Sequence, residues 1–183
     1  MIGINAPVTF FLLLLTVIIF FRSIVVFAAT DGTLGATSTG DLSMSLSIPN
    51  LAKLTDVADL NFGTYSGSGN PAQDDDVCVY TNNPSGQYKV TAKGSGAAFA
   101  FTMTNGTQTI PYSVKWNTVS GTNLNFALTA NTQTTTLSGA NTTSQTCAGL
   151  KNANFQVTMT RAAVLSVPAG TYTAILTLII DAV

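Results

Sequence analysis

The residue types that carry most enzymatic acid–base chemistry are missing from this chain. It contains no histidine, and its acidic residues are all aspartates. Without an imidazole, neither a Ser-His-Asp triad nor a Cys-His pair can be assembled. Two aspartates together are capable of acid catalysis, but no sequence context typical of such a pair is evident. We therefore expect a protein that is not an enzyme and that uses no cofactor.

Three consecutive aspartates, Asp74, Asp75 and Asp76, form the densest group of potential metal ligands. Ca²⁺ prefers carboxylate oxygens, so one interpretation is a calcium site. The alternating aspartates and terminal glutamate of an EF-hand loop are absent, however. We favour the other interpretation, a solvated acidic loop over residues 66–76, and predict no metal site.

The first 28 residues are typical of a secretory signal peptide. An apolar run over residues 10–21 has the length of a signal-peptide core, and modest side chains precede Ala29. We predict cleavage there, leaving residues 29–48 as an N-terminal extension and residues 49–183 as one domain. The alternative is an uncleaved anchor, because the segment is nearly long enough to span a bilayer if Arg22 is tolerated.

The exported part contains two cysteines, Cys78 and Cys147. In an oxidising compartment an isolated pair is most simply a disulfide, although two free thiols are the alternative. Closing a loop of this length stabilises the fold by about 4 kcal/mol in the chain-entropy model.

Charge is sparse in the exported part, where six scattered Lys and Arg residues face eight Asp. A phosphate-binding surface needs clustered cations, so we expect no nucleic-acid partner.

Short runs of β-branched and aromatic residues alternate with small polar ones, which is the pattern of antiparallel strands with one solvated face. Turn-forming sequences, such as residues 82–86, separate the runs. This predicts an all-β antiparallel β-sandwich. Strands are predicted at residues 42–48, 59–65, 77–81, 87–93, 98–103, 110–117, 124–129, 134–137, 154–160 and 170–180.

Two of these strands bracket the exported part. The first places four apolar side chains on one face and serines on the other; the four are Leu42, Met44, Leu46 and Ile48. The second, residues 170–180, alternates in the same way near the other end of the sequence. The first strand could leave its own domain and pair with another copy, and together with the last strand this suggests that the protein polymerises.

The aromatic residues fit strand positions, and Trp116 is the best candidate among them for a carbohydrate-binding platform. More often such residues are core or cross-strand pairs.

The chain resembles bacterial fimbrial subunits assembled by the chaperone–usher route, in particular the group with spore-coat-U-like domains. The resemblance rests on the export signal, residues 39–48 (TGDLSMSLSI), residues 60–65 (LNFGTY), the cysteine pair, and Gly170-Thr171-Tyr172 ahead of the last alternating strand. Unlike many members of that group, this chain has no cysteine shortly after its first alternating segment.

The resemblance implies an incomplete immunoglobulin-like sandwich that a donor strand from a neighbouring subunit completes. Leu42, Met44, Leu46 and Ile48 are then the donated side chains, with a weaker run at Leu34 and Ala36 as second choice. The acceptor groove is expected along one alternating face of the last strand. That face comprises Tyr172, Ala174, Leu176, Leu178 and Ile180, or alternatively Ile175 and Ile179.

The implied partners are copies of the chain or related pilus subunits, a periplasmic chaperone and an outer-membrane usher. The implied location is the cell surface, reached through the periplasm, where a fimbria supports adhesion to a host or abiotic surface or biofilm formation. The alternatives are a secreted or anchored β-sandwich adhesin or coat protein in which residues 42–48 pair within their own chain. Sequence alone does not separate pairing within a chain from pairing between chains.

Overall fold

A computed structural model describes residues 29–121 and 126–183. The predicted signal peptide, residues 1–28, lies outside the described residues. The described chain falls into two units that divide between Ser47 and Ile48.

The regular secondary structure of the larger unit is almost entirely β-strand. The strands are β1 (Ala52–Thr55), β2 (Ala72–Thr81), β3 (Tyr88–Gly94), β4 (Thr102–Thr104), β5 (Thr109–Asn117), β6 (Phe126–Leu128), β7 (Ala153–Met159) and β8 (Leu176–Ala182). One short helix, α1 (Arg161–Leu165), begins at Thr160, whose hydroxyl accepts a hydrogen bond from the Ala163 amide at 3.2 Å. Within the described ranges, no helix has the length and apolar character needed to cross a membrane.

The strands form two antiparallel sheets. The larger has the order β1-β2-β7-β5-β4, with β6 also pairing with β5, and the smaller consists of β3 and β8. On its other edge β3 is bridged to the segment 130–137 at Tyr88, Thr91 and Ala92. This confirms the predicted all-β sandwich fold.

The core lies between the two sheets and follows from the alternation of side chains along each strand. In β5, for example, Ile110, Tyr112, Val114 and Trp116 are buried while the residues between them are exposed. From the smaller sheet, Tyr88, Val90 and Ala92 of β3 join this core, and alternate residues of β8 pack against it. One continuous apolar cluster therefore holds the sheets together.

Several predicted strand boundaries are wrong. Residues 42–48 and 59–65 are not in strands, while β1 occupies residues 52–55 instead. Residues 134–137 contribute only one isolated bridge to β3, from Leu137 to Tyr88, and the last strand begins at Leu176 rather than at Gly170.

The predicted acidic loop is also wrong, because residues 72–76 belong to β2. These residues pair with residues 154–158 of β7, so ladder hydrogen bonds override the low β-propensity of aspartate. The predicted turn at residues 82–86 is present, and the Gly86 amide donates to the Asn83 carbonyl at 2.9 Å.

The smaller unit, described from residue 29 to residue 47, contains no strand in that range. Thr30 and Asp41 exchange two backbone hydrogen bonds, of 2.9 and 3.0 Å, and so close a loop between them. Every side chain from residue 29 to residue 47 is exposed.

Candidate functional site

One edge of β8 has no ladder partner in the part of the chain that the structure describes. The other edge pairs with β3 along the whole strand, from Leu176 opposite Gly94 to Ala182 opposite Tyr88. An unpaired edge presents a row of N–H and C=O groups that can accept a further strand.

An apolar groove lies beside the unpaired edge of β8, with a volume of about 570 Å³. One wall is the segment that follows β1, and the opposite wall is the beginning of β8 together with the two residues before it. The floor is formed by buried side chains of the larger sheet and by Met103. The lining residues are Leu54, Val57, Ala58, Asp59, Leu60, Phe62, Met103, Tyr112, Phe155, Val157, Ala174, Ile175, Leu176, Thr177 and Leu178.

A second cavity, of about 820 Å³, extends this groove toward residues 164–173. The two cavities share four lining residues, Leu60, Phe62, Met103 and Ala174, so they form one continuous channel between the sheets. We call this channel the open groove. Its walls are largely apolar, with Asp59 as the charged side chain in the first cavity.

β1 and β8 run in opposite directions on the two sides of the open groove. The Asn82 amide donates to the carbonyl of Leu51, just before β1, while the Asn83 side chain donates to the Val183 backbone oxygen, just after β8. The beginning of β1 and the end of β8 are therefore neighbours. A strand inserted antiparallel to β8 would consequently run parallel to β1.

Asp75 of the acidic run holds the wall that follows β1, and its two neighbours bind β7. Asp75 accepts a hydrogen bond from the Ala58 amide at 2.7 Å, and its other carboxylate oxygen lies 3.9 Å from Lys151 Nζ. Asp74 and Asp76 both accept from the side-chain amide of Asn154, at 3.0 and 2.8 Å. Nowhere in residues 29–121 or 126–183 do three or more Asp or Cys side chains group so as to hold a metal ion.

The floor of the open groove contains a hydroxyl that has no hydrogen-bond partner. Tyr112 is buried and stacks on Phe101 with ring centroids 5.5 Å apart, and its Oη atom makes no hydrogen bond. Desolvation by burial raises the pKa of Tyr112 above its ordinary value.

The structure distributes the predicted acceptor residues unevenly. Tyr172 lines the second cavity, Ala174 lines both, and Leu176 and Leu178 line the first. Ile180 packs against the core but lines neither cavity.

The alternative acceptor face is split as well. Ile175 lines the first cavity with 71% of its side chain exposed, whereas Ile179 lines neither cavity and pairs with Thr91 across the smaller sheet.

The predicted donor residues are exposed and lie outside any strand. The exposed fractions are 71% for Leu42, 90% for Met44, 87% for Leu46 and 69% for Ile48. Leu34, in the second-choice run, is fully exposed as well. A row of large apolar side chains in water has much apolar surface to bury on association.

The predicted disulfide is confirmed. Cys78 and Cys147 are joined, with Cα atoms 5.9 Å apart, and both are buried. The bond ties β2 to the 3₁₀ turn Cys147–Gly149.

Of the two interpretations of Trp116, a core residue or a carbohydrate-binding platform, the favoured one is confirmed, because this side chain is fully buried. Its indole N–H donates to the Tyr88 hydroxyl at 3.2 Å, and the two rings meet edge to face. Burial raises the pKa of Tyr88, although the hydrogen bond from Trp116 acts in the opposite direction. Trp116 is a core residue.

Sequence reasoning missed the residues that shape the open groove from outside it. The sequence predicts a loop at Asp75, and it indicates Asn82 and Asn83 only as turn-forming residues. Leu60 and Phe62 were placed in a strand, and their alternation does mark residues that line the groove. No sequence signal distinguishes Asn82 and Asn83 from other turn asparagines.

Comparison with known proteins gives solved structures of limited similarity. No family model matches the chain, and no curated protein matches it. A chain from a solved chaperone-tip adhesin complex, described as vital for synergistic activation of CFA/I fimbriae biogenesis, has a TM-score of 0.48 and 15% sequence identity. The match covers 73% of this chain and 41% of that chain, so this chain spans less than half of the other's length. Similarity at this level assigns neither a family nor a function.

Proposed function

We propose that the chain is a structural subunit of a surface pilus, which polymerises when one subunit inserts an N-terminal strand into the open groove of the next. The observation that carries the proposal is the combination of the unpaired edge of β8 with the apolar groove beside it. An inserted strand would satisfy the backbone groups of that edge and cover the groove. The role is structural rather than catalytic.

The inserted strand is residues 42–48 of a neighbouring copy. Leu42, Met44, Leu46 and Ile48 alternate with serines, so one face can enter the groove while the other stays in water. Burying four such side chains contributes roughly 6–12 kcal/mol before the loss of conformational freedom is subtracted. The weaker run at Leu34 and Ala36 offers much less apolar area, so it remains the second choice.

Connectivity favours insertion between chains over insertion within a chain. Only Pro49, Asn50 and Leu51 separate Ile48 from β1, so residues 42–48 could reach their own groove only by turning back antiparallel to β1. That orientation is parallel to β8, and parallel pairing is slightly less stable per residue. A neighbouring copy is free to insert its strand antiparallel to β8.

The remaining parts of the proposal follow from the exposed apolar surface and from the resemblance in sequence. An open apolar edge is an aggregation hazard, so a periplasmic chaperone would cover it until an outer-membrane usher brings the next subunit. In the assembled state the fibre would lie at the cell surface, where it supports adhesion or biofilm formation.

Paired deletions in the full chain test this function. Removing residues 41–48 is expected to leave folded subunits that form no fibres in electron micrographs. Removing residues 31–38, which are equally long, is the matched control and is expected to leave fibre formation intact. Fibres of normal length after removal of residues 41–48 would refute the proposal, as they would favour a self-contained sandwich.

A further inference from the structure

Asn82, in the turn that follows β2, forms hydrogen bonds to the backbone just before β1. Its side-chain oxygen accepts from the Leu51 amide at 2.7 Å, and its side-chain nitrogen donates to the Pro49 carbonyl at 2.8 Å. Its backbone amide also donates to the Leu51 carbonyl at 3.1 Å. These bonds hold residues 49–51 beside the end of β2, directly before β1.

The same residues have the composition of a tight turn. In Ile48-Pro49-Asn50-Leu51, proline and asparagine occupy the two central positions, where both are favoured. A β-turn over these four residues would be closed by a hydrogen bond from the Leu51 amide to the Ile48 carbonyl. That amide is the group which Asn82 engages, so the Asn82 side chain competes directly with the turn.

The turn would lead residues 42–48 back toward their own open groove. One edge of β1 is occupied by β2, so a returning segment could lie only along the other edge, which faces the groove. Leu54 of β1 and the residues that follow it form the groove wall on that side.

We infer that Asn82 is a positioning residue that prevents each chain from closing its own groove and so keeps the groove available to a neighbouring copy. This inference rests on the proposed function, because it takes residues 42–48 as the strand that fills the groove. Asn82 belongs neither to the inserted strand nor to the lining of the open groove, yet it would favour insertion between chains over insertion within one chain.

The test measures uptake of a fluorescent synthetic peptide with the sequence of residues 41–48 by full-length protein, at concentrations too low for assembly. The wild type is expected to bind the peptide, and Asn82→Ala is expected to bind it about 5- to 30-fold less tightly, because two hydrogen bonds that oppose the turn are lost. The double variant Asn82→Ala/Leu46→Asp is expected to recover wild-type uptake, since its own extension can no longer fill the groove.

The outcomes separate the inference from the function on which it rests. A wild type that takes up no peptide would contradict the proposed function itself. Equal uptake by the wild type and by Asn82→Ala would overturn the role of Asn82 alone. Reduced uptake that Leu46→Asp does not restore would also overturn it, because the substitution would then have damaged the groove.

Discussion

Replacing Leu46 with aspartate is expected to abolish assembly and leave the sandwich folded. The Leu46 side chain is 87% exposed, so the change removes almost no packing from the isolated chain. In a neighbour's groove the leucine would be buried, which contributes about 1.5–3 kcal/mol. An aspartate there would lose its hydration without gaining a partner, at a further cost of at least about 2 kcal/mol.

The combined penalty of about 4 kcal/mol lowers the association constant roughly a thousandfold. Assembly is followed by light scattering and sedimentation, and urea unfolding verifies that the variant is folded. Ser45→Asp is the matched control, because it places the same charge one residue away on the face that would remain in water. The reasoning is refuted if Leu46→Asp assembles as well as the wild type, or if both variants lose assembly equally.

Three further predictions concern the groove wall, the disulfide and the floor. Ala174→Trp should fill the open groove and block uptake of the peptide with the sequence of residues 41–48. Ala162→Trp, at an exposed position that lines neither cavity, should leave uptake unchanged. Equal binding by both variants would show that the peptide binds elsewhere. Replacing Cys78 and Cys147 by alanine should lower the free energy of unfolding in urea by about 4 kcal/mol, because the bond closes a loop with a sequence separation of 69; a loss below about 1 kcal/mol would contradict the chain-entropy argument. Burial raises the pKa of Tyr112, so the unfolded chain releases this proton at a lower pH than the folded chain does. The free energy of unfolding should therefore be unaffected by this group below pH about 10 and should fall as the pH rises further. Tyr112→Phe should lessen that alkaline loss in urea titrations, and an unchanged pH profile would count against it.

The elements that sequence predicted well are those whose environment is set by simple alternation. β5 and β7 were placed within one residue of their observed limits, because each buries every second side chain against the other sheet. The disulfide also follows from chemistry alone, because two cysteines in a chain that is predicted to be exported have few other stable states.

The elements that sequence misplaced depend on distant partners. β1 is only four residues long and contains Lys53, so local pattern gives it little support, yet pairing with β2 fixes it. The acidic residues of β2 form a strand because β7 supplies backbone partners and Asn154 supplies an amide. Neither contact is visible as a local signal.

The open groove was predictable only in outline. The resemblance predicts a groove along the last strand, where Leu176 and Leu178 line the first cavity, but the opposite wall depends on how Asp75 holds the Ala58 amide. The hydrogen bonds between Asn82 and residues 49–51 connect residues that are more than thirty positions apart in the sequence. Whether residues 42–48 pair in their own chain or in another is a question of partners, which composition and periodicity do not encode.

Electron microscopy of the native assembly at side-chain resolution tests the central claim most directly. We expect continuous density for a strand between β1 and β8 of each subunit, antiparallel to β8, with Leu42, Met44, Leu46 and Ile48 of the neighbouring copy directed into the groove. Density showing that groove empty, or filled by residues 42–48 of the same chain, would contradict it.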